Sequence, residues 1–171
     1  MLNYLMLYAL CLMPSKTTTM HIKRPLHLFL LLLLWLSSCK TISVFDQYAY
    51  AQATALKVDA MNLMDKATST YTSQQAEVDA VLTRLEKVYE YELHRPKNGI
   101  TVKMWELLKN PDRNLFGGFI KRWKDQSQLS AAFIGEAKVQ VAQAFDMIVE
   151  LESEKIKENN PQVTNFINAN Q

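Results

Sequence analysis

The densest concentration of chemically equipped side chains lies at 113–124, where Arg113, Lys121, Arg122 and Lys124 are interleaved with Phe116, Phe119 and Trp123. Cations on long apolar stems beside aromatic rings suit a lipid headgroup layer or an anionic partner, so these seven residues form a candidate membrane or partner contact. The competing reading is that Phe119, Ile120 and Trp123, at helical spacing, plug a bundle while the cations are solvated. The Gly117-Gly118 pair could admit a ligand to the backbone, but no Lys-Ser/Thr completes a phosphate loop. Glu90 and His94 are four apart and share a helix face, which suits two metal ligands. His94 is the only histidine after Cys39, so a capping or solvated helix end is the better reading and no metal site is expected. Glu150, Glu152, Glu154 and Glu158 alternate with Lys155 and Lys157 and read as a solvated helix terminus. Met61, Met64, Met104 and Met147 read as core filler. A Ser/His/Asp triad would depend on His94, and no serine sits on a Gly-flanked elbow. Catalysis and cofactors are therefore not expected.

The elements that must position these residues are helices. From 44 to 71, Phe45, Tyr48, Leu56, Met61, Leu63 and Met64 recur at helical spacing, with Ala49, Ala53, Ala60 and Ala67 between them and no Gly or Pro. The pattern predicts one long helix. Thr72 with Gln75 three later resembles a capping box and starts a second helix running to about His94, with Val78, Val81, Leu82, Leu85, Val88 and Tyr89 on its apolar stripe. Arg95-Pro96-Lys97-Asn98-Gly99 ends it. A short amphipathic piece follows over 100–110, then a turn at Asn110-Pro111-Asp112. The paired glycines break regularity, and a short helix is predicted from Phe119 to about Gln126. Ser130 caps the last long helix, predicted to reach about Glu158 along a seam of Ile134, Ala137, Val141, Ala144, Ile148 and Leu151. Residues 159–171 are Asn/Gln-rich and read as a flexible tail, from which Phe166 and Ile167 can dock back. No period-two alternation is present, so the fold class is all-α: an up-down bundle of three long helices over 44–158, with 99–126 as a connection packed across it.

Ahead of the bundle, residues 20–39 read MHIKRPLHLFLLLLLWLSSC. His21, Lys23 and Arg24 precede an apolar run from Leu28 to Leu36, shorter than the ~20 residues a membrane-spanning helix needs and within the ~7–15 of a signal-peptide core. The tetrad Leu36-Ser37-Ser38-Cys39 resembles the lipobox of bacterial lipoproteins. That resemblance implies thioether attachment of diacylglycerol to Cys39 and cleavage before it, so 20–38 is a signal peptide and 39–43 a short lipidated linker. Residues 1–19 then read as an over-extended start, with Met20 the initiator, or as an extra N-terminal segment. Cys11 has no small-residue approach and is not a second lipobox. A mature chain starting at Cys39 has that one cysteine, which excludes disulfides and thiolate metal sites.

Charge divides the same way. Lys16, Lys23 and Arg24 account for three of the 19 basic residues, leaving 16 basic against 17 acidic from Lys40 onward. A near-neutral body does not suggest nucleic-acid binding, which normally shows a strongly basic face. Only 4 glycines in 171 residues argue against Gly-rich phosphate loops and turn-dense β folds. The sequence-level expectation is a membrane-anchored envelope lipoprotein, facing the periplasm from the outer membrane. It would act as a non-catalytic interaction or scaffolding module, with an envelope protein partner whose identity the residues do not give. The alternative is a small-ligand or lipid carrier with a cavity between the helices.

Overall fold

The computed structural model describes residues 45–153 and 156–171; the signal peptide, lipobox and linker expected over 1–43 lie outside the described residues. Every regular element in the described part is helical. In chain order these are α1 (Gln47–Asp65), a 3-10 turn (Lys66–Thr68), α2 (Tyr71–Leu93), α3 (Gly99–Lys109), α4 (Phe116–Gln126), α5 (Ala131–Glu152) and α6 (Pro161–Ala169). Among the described residues no helix is long and apolar enough to cross a membrane.

α1 begins where Asp46 accepts hydrogen bonds from the Tyr48 and Ala49 amides at 2.8 and 3.1 Å, satisfying two donors that a helix start leaves unpaired. It ends at Asp65, earlier than the expected 71. The run Thr68-Ser69-Thr70 has weak helix propensity, and the Ala67 carbonyl is taken by the Leu129 amide at 2.9 Å. α2 is not entered through the expected Thr72–Gln75 box. Thr70 is its N-cap, and the Tyr71 amide donates to the Ser127 carbonyl at 2.8 Å. These two bonds clasp the 127–129 loop to the link between α1 and α2.

α1 and α5 run antiparallel, joined by the Lys57–Asp146 and Lys138–Asp65 ion pairs. α2 is antiparallel to α1, with Arg84 on Asp59 and Lys66 on Glu77. The expected up-down bundle of three long helices is not what forms: an up-down trio would have α5 parallel to α1, and 99–126 does not cross the bundle. α3 runs antiparallel beside α2, with Asn98 against Glu92, Tyr89 donating to Glu106 at 3.3 Å and Lys109 meeting Glu86 at 2.7 Å. α3 also packs on α5, and α4 continues over α2 and α3. The 99–126 segment therefore supplies a further limb in two pieces, broken at Asn110-Pro111.

Two more boundaries differ. Ser130 caps α5 as expected, accepting from the Phe133 amide at 3.2 Å, but the helix stops at Glu152 instead of continuing to 158. The tail expected to fray forms α6, with Pro161 in its first turn and Asn160 accepting from the Gln162 amide at 2.8 Å. Burial of Val163 and Ile167 against the core holds it, while Phe166 is half-buried.

Ala49, Ala53 and Ala60 on α1 and Ala67 in the 3-10 turn are completely buried, and small side chains there let this segment approach its neighbours closely. The interior is also aromatic. Trp105 meets Phe145 edge-on at 6.0 Å, Phe116 meets Phe145 at 6.4 Å, and Tyr71 meets Trp123 at 5.6 Å.

Candidate functional site

The 113–124 segment splits by chemistry. Phe116, Phe119 and Trp123 are buried, and the Trp123 indole N–H donates to the Ser69 carbonyl at 3.0 Å. α4 turns this stripe inward because residues 116, 119, 120 and 123 share a face. The aromatic half of the expected contact is therefore core. Lys121, Arg122 and Lys124 remain exposed and Arg113 is half-buried. Lys121 is paired with Asp112 at 2.7 Å, which raises the lysine pKa and lowers that of the aspartate. The Arg122 guanidinium lies 4.7 Å from the Phe133 ring centre. Contacts to Ser69 and Phe133 place this end of α4 beside the α1–α2 link, at the opposite end of α1 from Phe45 and Asp46.

The glycine pair stays within the first turn of α4, which begins at Phe116 and not at Phe119. A Cβ on Gly117 would collide with the Lys109 carbonyl, and one on Gly118 with the Arg113 carbonyl. The pair admits neighbouring backbone, not a ligand. His94 hydrogen-bonds through Nδ1 to the Glu90 carbonyl at 2.8 Å, a helix-end contact, and no group of three metal-ligating side chains occurs among the described residues.

A constellation not expected from the sequence lies at the other end of the bundle. Glu92 and Glu152 are buried, against the expectation that 150–158 is a solvated terminus. Arg95 Nη1 donates to Glu92 Oε2 at 2.7 Å and to Glu152 Oε2 at 2.5 Å, and Arg95 Nε lies 3.7 Å from Asp46 Oδ2. Asn98, also buried, donates to the Glu92 carbonyl at 3.1 Å and to its carboxylate. The Tyr91 hydroxyl donates to Asp46 Oδ2 at 2.6 Å. The start of α1 and the ends of α2 and α5 therefore meet at one guanidinium, and the cap of α3 joins through Glu92. Glu92 Oε1 and Asn98 Oδ1 are buried without a hydrogen-bond partner.

Electrostatics there favour one stored proton. Burial, reinforced by the charge on Glu92 and opposed by Arg95, pushes Glu152 up to about 7. Asp46 is held below the usual carboxylate range, chiefly by the Tyr91 hydrogen bond, with the α1 amides and Arg95 adding to it. The same bond raises Tyr91. Burial pulls Arg95 down, but hydrogen bonds to Glu92 and Glu152 prevail and raise it.

The sequence carries a signal for this cluster. On α2 the buried residues Val81, Leu85 and Val88 lead, by steps of four, three and four, to Glu92. On α5 the buried residues Val141, Phe145 and Ile148 lead by the same steps to Glu152. Each glutamate thus occupies the next in-phase position of a buried apolar stripe, and Arg95 follows Glu92 by three. The Glu/Lys alternation after 150 masks that phase.

Two open grooves mark the described surface. One, of about 820 Å³, lies between α5 and α6 and is lined by Val139, Ala142, Met147 and Phe166 among others. The other, of about 560 Å³, lies between α1 and α2. The chain matches no family model, no curated protein and no solved structure.

Proposed function

We propose that this chain is a lipid-anchored envelope lipoprotein whose helical bundle binds or spaces envelope components without catalysis. The observation that carries the reading is the tetrad Leu36-Ser37-Ser38-Cys39, placed after a basic stretch and a short apolar run. Lys40, not aspartate, follows Cys39, which favours the outer membrane, with the bundle in the periplasm. A binding or spacing role is supported by where the titratable groups gather: Glu92, Glu152 and Arg95 hold helix ends together inside the bundle instead of lining a cleft. The carrier alternative draws on the α5–α6 groove. Against it, the interior between the helices and the 105–123 segment is occupied by Trp105, Phe116, Phe119, Trp123 and Phe145.

The test is metabolic labelling with an acyl probe, followed by detergent partitioning. The parent chain should carry label and enter the detergent phase, because two or more acyl chains anchor stably where one is marginal. Cys39→Ala should lose both label and processing. Unchanged labelling in that variant would overturn the reading.

A further inference from the structure

Large apolar side chains that a fold leaves in water are informative when they gather in one place. Among the described residues Phe45, Tyr48, Tyr91, Leu93, Val58 and Val139 are exposed. Val58 and Val139 lie within the spans of α1 and α5. The other four collect at one end: Phe45 just before α1, Tyr48 in its first turn, and Tyr91 and Leu93 in the last turn of α2. Tyr48 and Tyr91 meet edge-on at 4.9 Å, and Phe45 lies 6.4 Å from Tyr50. The group is braced from behind, since the Tyr91 hydroxyl is fixed on Asp46 and Asp46 faces Arg95. Tyrosine rings with a polar tip suit a lipid–water boundary, where one end is apolar and the other wet.

The chain itself names the occupant. Cys39 is six residues before Phe45. Fully extended, that stretch reaches no more than ~20–22 Å. An acylated Cys39 therefore keeps this end within reach of the bilayer. We propose that the Phe45, Tyr48, Tyr91 and Leu93 end of the bundle docks into the lipid interface as a second contact beside the acyl chains. The proposal rests on the lipid-anchor reading, and its test separates the two.

The acylated full chain is placed in phosphatidylethanolamine–phosphatidylglycerol vesicles containing brominated lipid. Single cysteines are introduced as Tyr48→Cys, Leu93→Cys or Val139→Cys and labelled with bimane, and mass spectrometry of the same samples reports acylation of Cys39. Labels at 48 and 93 should shift to the blue and be quenched by brominated lipid, while the label at 139 should report water. Having two sites on different helices keeps the test decisive if Tyr48→Cys disturbs packing, which circular dichroism reveals. Acylated Cys39 with both labels still in water would overturn the docking and leave the anchor standing. A blue shift without lipid quenching, growing with protein concentration, would assign the surface to a second copy and also overturn it. An unmodified Cys39 would end the anchor reading and with it the reason for lipid at this end.

Discussion

Glu152 retains its proton to about pH 7 because burial and the neighbouring Glu92 charge outweigh Arg95. Its folded pKa is raised above the unfolded value, so it binds more protons in the native state. Its stabilising contribution is then fully present below about pH 4.5 and is lost as pH rises through about 7. Such a shift corresponds to ~3 kcal/mol at most. Glu152→Gln keeps the shape without the titration, so the fall in stability between about pH 4.5 and 7 should flatten in urea melts of that variant. A parent-like pH slope would show that another group is responsible. Asp46 acts in the opposite direction, its lowered pKa withdrawing stability only at more acidic pH. The pair of buried glutamates was legible only as phase. A carboxylate on an apolar stripe looks like a boundary until the guanidinium that partners it is known, and Arg95 reaches Glu152 across 57 positions of chain.

At the scale of elements, periodicity found the helices as far as α5 but not α6, and their ends answer to local caps and to distant partners alike. Ser130 was readable as a cap because its hydroxyl acts on its own helix. The end of α1 was not, because the Ala67 carbonyl and the Tyr71 amide are claimed by the distant 127–129 loop. Gly117-Gly118 reads as a break, yet the glycines serve α4 by letting its first turn lie on the α3 end and the 110–113 turn. The atoms a Cβ would strike are backbone, which cannot swing aside. Gly118→Ala should therefore destabilise by ~1–3 kcal/mol, the usual cost of overpacking, read as a lower thermal midpoint. A midpoint equal to the parent's would mean that α4 does not press on this turn in solution.

For the whole molecule, the two ends carry different chemistry. One has the tyrosines and the Arg95 cluster, and the other has Arg122 and Lys124 beside the α1–α2 link. Under the lipid-anchor proposal the cations point away from the anchoring membrane. Replacing Lys121, Arg122 and Lys124 together with serine should leave flotation of the acylated protein with anionic vesicles unchanged. A clear loss of flotation would mean that the basic face touches lipid after all. The all-helical class was legible from composition and period, while the path of 99–126 was not, because a segment broken at Asn110-Pro111 gives no sign of whether its halves cross a bundle or extend it.

The length of α1 has an electrostatic consequence. Its 19 residues rise ~28 Å at 1.5 Å each. The Debye length at physiological ionic strength is ~8 Å. If the proposed docking holds α1 upright on a lipid surface, Arg122 and Lys124 would stand about three screening lengths above it, where the bilayer's charge would be screened from them. Under that proposal their field would act instead on whatever occupies the aqueous space beyond.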